Sequence, residues 1–390
     1  MIRAYRVALS TRLANLVLTA AFLGTLTVPL AGHVCGLEGA GPLRENRGLA
    51  ARPEPGTTPR LWWRFVLRYR DYFNDHFGLR PLLVRIHARA SVAWLDSAPN
   101  ERVLLGREGW LYLNKWDQGI ESTRAVDPFT PQDLKQWRRV LERRRDVLGQ
   151  RGITYVFTVA PDKSTIYPEY LPPSVTRVHP QSRLEQLFDY LREHGDFLRE
   201  HGDATLVDLR PALLAAKHQR PVYYQTDTHW NEWGAYVAYR EIVAALHRRY
   251  PGLEAKPPSA FSVETLPGQF SGGLADMAGL SDYLREDEIR LTPLSPGISR
   301  TVSTESGRNG DIEFSAAESP NPAAPRLVML HDSFGDSLKA LLSEHFRRAA
   351  FFRTPRVSLQ VLDREKPDVV IQEIVERSLL NGPPKAPLDD

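Results

Sequence analysis

Two short segments about a hundred residues apart, QTDTHW at 225–230 and MLHDSFGDSL at 329–338, supply Asp227, His229 and Ser333. These are the residue types of a nucleophilic hydroxyl, its base and the carboxylate that orients the base. For a serine to attack a carbonyl, an imidazole must take its proton and a carboxylate must fix the imidazole tautomer. An Asp two residues before the His lets both side chains leave one loop toward one cavity. Ser333 falls where the apolar run Arg326–Leu330 gives way to a helical pattern of Phe334, Leu338, Leu341, Leu342 and Phe346. Open α/β folds bind ligands at that carboxyl edge, beside free amides and the positive end of a helix. Plainer readings exist for both segments. Ser333 suits a helix N-cap, and Asp227 with His229 could be a metal pair or a capping Asp beside a surface His. No third His or Cys lies nearby, so neither metal nor cofactor is expected.

The elements that must position these residues alternate. VLLGREGWLYL (103–113) reads as a hairpin turning at Arg107–Gly109. Pro131 to Gly152 reads as a helix with Leu134, Trp137, Leu141 and Leu148 on one face. ITYVFTVAP (153–161) is a buried strand, followed by a helix over 181–200, the strand ATLVDL (204–209) and a short helix from Pro211 to Lys217. PVYYQ (221–225) is extended, and Asn231 caps a helix reaching Tyr250. After a Gly- and Pro-rich stretch come RLVMLHD (326–332), a helix from Phe334 to Phe346, AAFFR, a helix near Ser358 and the strand DVVIQEI (368–374). Strands alternating with helices, several continuously apolar, predict an α/β fold with a parallel sheet covered on both faces.

The composition is globular, 42% hydrophobic and 25% charged over 390 residues, with a net charge of +3. No basic run is interleaved with aromatics, so nucleic-acid binding finds no support. The single cysteine, Cys35, excludes an intramolecular disulfide and reads as a bystander thiol. Arg3, Arg6 and Arg12 precede an uncharged, mostly apolar run from Leu13 to Val34. At ~20 residues such a run can cross a bilayer, with the remainder outside the cytoplasm. Its length and the lack of a clean A-x-A ending favour a transmembrane anchor over a cleaved signal peptide. The expected organisation is an anchor at 1–35, a linker and juxtamembrane helical segment at 36–98, and a catalytic domain at 99–385. Within 61–96 the aromatics Phe65, Tyr69, Tyr72 and Phe73 recur at helical spacing, either as a membrane-surface element or as a helix docked on the catalytic domain.

GREGWLYL (106–113), APDKSTIYPEYLP (160–172), TDTHWNEWGAY (226–236), GGLADMAGL (272–280), LHDSF (330–334) and KPDVVIQEIVERSL (366–379) are, in content and order, similar to the SGNH-hydrolase-like polysaccharide O-acetyltransferases, including alginate acetyltransferases of the AlgJ and AlgX type. The resemblance covers roughly 100–380 and implies an SGNH-hydrolase-like, flavodoxin-like sheet. The chain stops soon after, as in members without an appended carbohydrate-binding domain. The Asp and His of the family's DTHW motif match Asp227 and His229, and the Ser of its GDSF motif matches Ser333. The resemblance implies acetyl transfer through Ser333 to hydroxyls of an exported polysaccharide, as in alginate biosynthesis. It also implies a periplasmic site at the inner membrane and a membrane-bound O-acyltransferase as acetyl donor. A polysaccharide esterase using the same triad and a non-catalytic assembly factor stay open.

His331 stands where the family has Gly, and it could instead donate to substrate. Lys163 and Tyr167 follow a strand and could line the cleft, although a salt-bridged surface Lys serves equally. Gly273, in the flexible GQFSGGLADM stretch, could offer its amide to an oxyanion, or simply form a turn. Trp230, with Trp233, could stack on sugar rings unless packing of the 231–250 helix claims them. Arg377 could hold an anionic sugar, against the plainer account of an internal pair with Glu373.

Overall fold

The structure is a computed structural model that describes residues 2–34, 43, 48–56, 58–114, 119–194, 204–305 and 312–384. Cys35 and the end of the helix expected over 181–200 lie outside the described residues. The chain divides into two compact units, Met1–Asn100 with Asp276–Tyr283, and Glu101–Ala275 with Leu284–Asp390.

The larger unit is built on the strands β1 (Val103–Leu105), β2 (Leu111–Leu113), β3 (Thr154–Ala160), β4 (Ala204–Asp208), β5 (Phe261–Phe270), β6 (Glu286–Pro293), β7 (Arg300–Glu305), β8 (Phe314–Glu318), β9 (Arg326–Leu330), β10 (Arg348–Phe352) and β11 (Val369–Val375). Seven of them form one sheet in the order β4-β3-β11-β9-β10-β8-β7. The first five run parallel. Successive residues of β3 feed opposite faces, as period-2 geometry demands. Val156 and Ala160 join the core beneath the helix Glu232–His247, whereas Tyr155, Phe157 and Val159 pack with Trp137, Leu141 and Leu187 on the other side.

An all-parallel sheet is not what forms. β8 and β7 add antiparallel to the β10 edge, and β5 pairs with β6 in a separate hairpin. These four strands come from the stretch read as Gly- and Pro-rich connection. TVSTE and its neighbours carry few apolar residues because an edge strand buries little, so periodicity alone is silent there. PVYYQ is likewise no sheet strand, and its pairing of Tyr223 with Trp230 is an isolated bridge. The helix expected from Phe334 to Phe346 is a 3₁₀ turn over Phe334–Leu338 followed by a short α-helix, Lys339–Ser343.

The smaller unit contains the helices α1 (Ile2–Val34), α2 (Pro59–His76) and α3 (Arg80–Leu95). Among the described residues no helix is long and apolar enough to cross a membrane. The span read as one helical element over 61–96 is two helices. Leu79, in the left-handed region at φ 66°, separates them, and Thr58 caps α2 with Pro59 in its first turn.

Candidate active site

Asp227, His229 and Ser333 converge. His229 Nε2 lies 2.8 Å from Ser333 Oγ, and Nδ1 lies 2.6 Å from Asp227 Oδ1. The Ser333 side chain makes no N-cap hydrogen bond, so its hydroxyl is available to the imidazole. Asp227 Oδ1 also accepts from the His229 amide at 3.0 Å, and Oδ2 accepts from the Gly273 amide at 2.6 Å. Burial pushes the Asp227 carboxyl upward, but bonds from the His229 side chain and the Gly273 and His229 amides outweigh it. The acid therefore sits well below the usual carboxylate range. Gly272 makes this possible, because a Cβ there would lie 2.5 Å from the Asp227 Cβ.

No sheet strand leads into the 224–229 loop, so its shape comes from two charged side chains on opposite sides. Lys163, in the turn after β3, is buried, and its Nζ donates to the carbonyls of Tyr224, Gln225 and Asp227 at 3.0, 2.8 and 2.6 Å. Glu286, at the start of β6, accepts from the Gln225 and Thr226 amides at 2.6 and 2.7 Å and from Thr226 Oγ1. One ammonium takes the loop's carbonyls and one carboxylate takes its amides. Burial draws the Lys163 ammonium down to about 7, against the pull of the Glu286 and Asp227 carboxylates.

Ser333 is held from its own side. Asp332 Oδ1 accepts from the Phe334 amide at 2.9 Å, and Oδ2 accepts from the Val375 amide at 2.5 Å. The Ser333 turn is thereby tied to the carboxyl end of β11. Trp230 Nε1 donates to Ser337 Oγ at 2.6 Å, and the His229 ring lies 4.8 Å from that of Phe334, joining the segments that carry His229 and Ser333. The Ser333 amide donates to no acceptor among the described residues and is free to face a developing oxyanion.

The residues proposed to meet substrate are mostly occupied elsewhere. Lys163 props the loop and also lines a small cavity with Thr228 and Arg377. Tyr167 is buried, with its hydroxyl accepting from the Val222 amide and its ring against Trp110. Trp230 is buried against Phe334 and unavailable for stacking, while Trp233 packs on Tyr236. Gly273 gives its amide to Asp227, so it is not an oxyanion donor. Arg377 is buried and donates to Asp162 at 2.6 Å, and Glu373 instead accepts from the Asp332 amide.

His331 is fully buried, with Nδ1 2.6 Å from the Asp332 carbonyl, so it does not reach substrate. The bulk that replaces the family's Gly is accommodated three residues beyond that Asp. A Cβ on Gly335 would lie 2.5 Å from the His331 Cβ. Gly335→Ala is expected to cost roughly 1–3 kcal/mol by overpacking. Adding His331→Gly should restore most of that loss, and a double-mutant cycle by urea unfolding checks it.

Sequence reasoning passed over Glu286, Thr226, Asp332, Ser337 and Gly335. Asp332 was visible as the acid preceding Ser333, and a turn carboxylate in that place signals a backbone brace. Glu286 carried no local signal, since the hairpin that delivers it was itself unread.

The family described as the SGNH hydrolase-like domain of the acetyltransferase AlgX matches residues 103–306. A protein named "Probable alginate O-acetylase AlgJ" from Pseudomonas syringae pv. tomato is 25% identical over 293 residues, which cover 73% of this chain and 67% of that one. Its namesake from Azotobacter vinelandii is 26% identical over 276 residues, covering 70% and 63%. That from Pseudomonas putida is 29% identical over 225 residues, covering 56% and 52%. The chain thus spans between about half and two thirds of the length of these relatives. Among solved structures, Bacillus cereus PatB1 with a sulfonyl adduct superposes with a TM-score of 0.53 at 14% identity, over 71% of this chain and 97% of that one. A second PatB1 structure gives 0.51 at 16% identity, over 72% and 97%. These likenesses establish the SGNH-hydrolase-like α/β fold.

Proposed function

The chain belongs to the AlgX-type family of SGNH-hydrolase-like acetyltransferase domains, and from that premise we propose that it moves acetyl groups onto hydroxyls of an exported polysaccharide through an acetyl-Ser333 intermediate. The observation that carries this reading is the continuous hydrogen-bonded chain from Asp227 through His229 to Ser333, at 2.6 and 2.8 Å.

In the first half-reaction Ser333 Oγ attacks the acetyl carbonyl while His229 Nε2 takes its proton. The tetrahedral oxyanion faces the Ser333 amide, and its collapse expels the donor's leaving group, which takes the proton from His229. In the second half-reaction a sugar hydroxyl gives its proton to His229 and attacks the acetyl-serine carbonyl. Collapse then breaks the bond to Ser333 Oγ and returns the proton to it. Asp227 keeps Nδ1 protonated and stabilises the transient imidazolium.

The names carried by the relatives make an alginate-like uronan the first polymer to try, with a membrane-bound O-acyltransferase supplying acetyl. We place this work in the periplasm at the inner membrane, held there by the N-terminal segment 1–35. Arg3, Arg6 and Arg12 ahead of the uncharged run to Val34 support that orientation.

The test incubates the purified full chain with p-nitrophenyl acetate and an uronan, following ester formation on the polymer against acetate release. Acetyl on sugar hydroxyls that tracks p-nitrophenol release supports the reading. Acetate alone, unaffected by polymer, would make the chain an esterase, and no release of either kind would leave it an assembly factor.

A further inference from the structure

We propose that α2 and α3 form a surface that lies on an anionic phospholipid membrane, independently of any span by α1. The helix α2 gathers its apolar and aromatic side chains on one side. At ~100° per residue, Leu61, Trp62, Phe65, Val66, Tyr69, Tyr72, Phe73 and His76 fall within an arc of about 140°. Their rings form a ladder, with centroids 5.4 Å apart for Trp62–Phe65, 5.6 Å for Phe65–Tyr69, 6.0 Å for Tyr69–Tyr72 and 4.3 Å for Tyr72–His76. Arg68 and Arg70 border this arc, and Arg60, Arg64 and Asp71 lie behind it.

A helix so strongly two-faced normally buries its apolar side. Here no residue of α2 is buried, and Trp62, Val66 and Tyr69 are 51%, 47% and 44% exposed. α3 continues the surface. Its Val84 and Ala88 sit against Gly279, and Arg89 pairs with Asp282 at 2.7 Å, so that side is engaged. The opposite side leaves Leu82, Leu83, Ile86 and Trp94 exposed by 38%, 41%, 54% and 84%. At the corner between the helices, Leu79 meets Gly32 near the end of α1, so the apolar α1 runs directly into this surface.

Charge selects the occupant. Between Pro59 and Leu95 there are seven arginines, two aspartates and no lysine or glutamate. The chain as a whole is only +3, so positive charge is concentrated here. Arg60, Arg64 and Arg68 form no ion pair among the described residues. An apolar protein partner would match the arc but not a cationic border of this density. A membrane matches both. Tyr and Trp sit at headgroup depth, the aliphatic and Phe side chains reach the acyl boundary, and guanidinium forks bind phosphate bidentately.

The test uses the full chain with Cys35→Ser and single nitroxide-labelled cysteines, in vesicles of phosphatidylcholine with or without phosphatidylglycerol. Trp62→Cys and Tyr69→Cys place the label in the arc, whereas Leu67→Cys and Asn74→Cys place it outside. With phosphatidylglycerol, the arc sites should favour collision with oxygen and the other two with a water-soluble nickel chelate. Arg68→Gln and Arg70→Gln together, which neutralise the two arginines bordering the arc, should bring the arc sites down to the ratio of the outer sites. Equal water access at all four sites overturns the proposal. So does shielding of the arc sites from both reagents whatever the lipid, which would mean that protein covers them. Acetyl release from p-nitrophenyl acetate should be the same in every labelled variant, which keeps this outcome separate from that of the catalytic reading.

Discussion

Ser333→Ala is expected to lower acetyl release from p-nitrophenyl acetate by about a thousandfold or more, with the unfolding midpoint unchanged. The second half of that expectation follows from the turn itself. Asp332 holds the Phe334 and Val375 amides, and Ser333 contributes no capping bond, so removing its oxygen leaves the brace intact. His229→Ala should cost a similar factor. The double variant should be little worse than either single one, because the two groups act as one unit. Steady-state kinetics on the three proteins, with far-ultraviolet circular dichroism, decides this. A Ser333→Ala chain that still released acetate at the wild-type rate would remove Ser333 from the chemistry. Asp227 sets no acid limb near neutrality, because its carboxyl is held below the usual range. Its contribution to stability is present above the ordinary carboxylate value near 3.9 and is lost as pH falls further.

Lys163→Met is expected to lower kcat by about a hundredfold, with a much smaller change in KM. Losing the ammonium frees three carbonyls, one of them that of Asp227, and the loop that presents Asp227 and His229 loses its scaffold. A displacement of about 1 Å in a catalytic group is enough for such a loss. Lys163→Arg should not rescue it, because a planar fork cannot converge on three carbonyls as a tetrahedral ammonium does.

A pH signature separates this role from plain stability. The folded ammonium is drawn down to about 7, below the ordinary lysine value near 10.4. Between those values the unfolded chain binds the extra proton, so this group makes the wild type more stable as pH rises through that window. Activity should move the other way, since a neutral amine offers two N–H groups to three carbonyls. Rising stability with falling kcat, both absent in Lys163→Met, is the expected pattern. Parallel pH profiles for the two proteins would show that Lys163 does not set the loop's geometry.

Much of the frame was legible residue by residue. The helix Pro131–Gly149 announced itself through Thr130, Pro131 and Asp133, which build a capping box in the structure. β3, β9 and β11 announced themselves as largely apolar runs, because a central parallel strand is covered on both faces. Asp227, His229 and Ser333 were legible as types in a spacing that chemistry can use. The antiparallel edge was not. β7 and β8 take their pairing from β10, and a half-covered edge imposes little apolar pattern on its own residues.

What the amino-acid order determined by itself is therefore local: where strands and helices begin, and which reactive groups stand at their ends. Only the tertiary structure decided what Lys163, Gly273, Trp230, Arg377 and His331 do. Each is of a type able to meet a sugar, yet each is turned inward on a carbonyl, a carboxylate or a ring. A side chain's hydrogen-bond partner is whatever the fold brings within about 3 Å. That distance belongs to the packing of segments remote in the chain, as when β6 delivers Glu286 to the loop before His229.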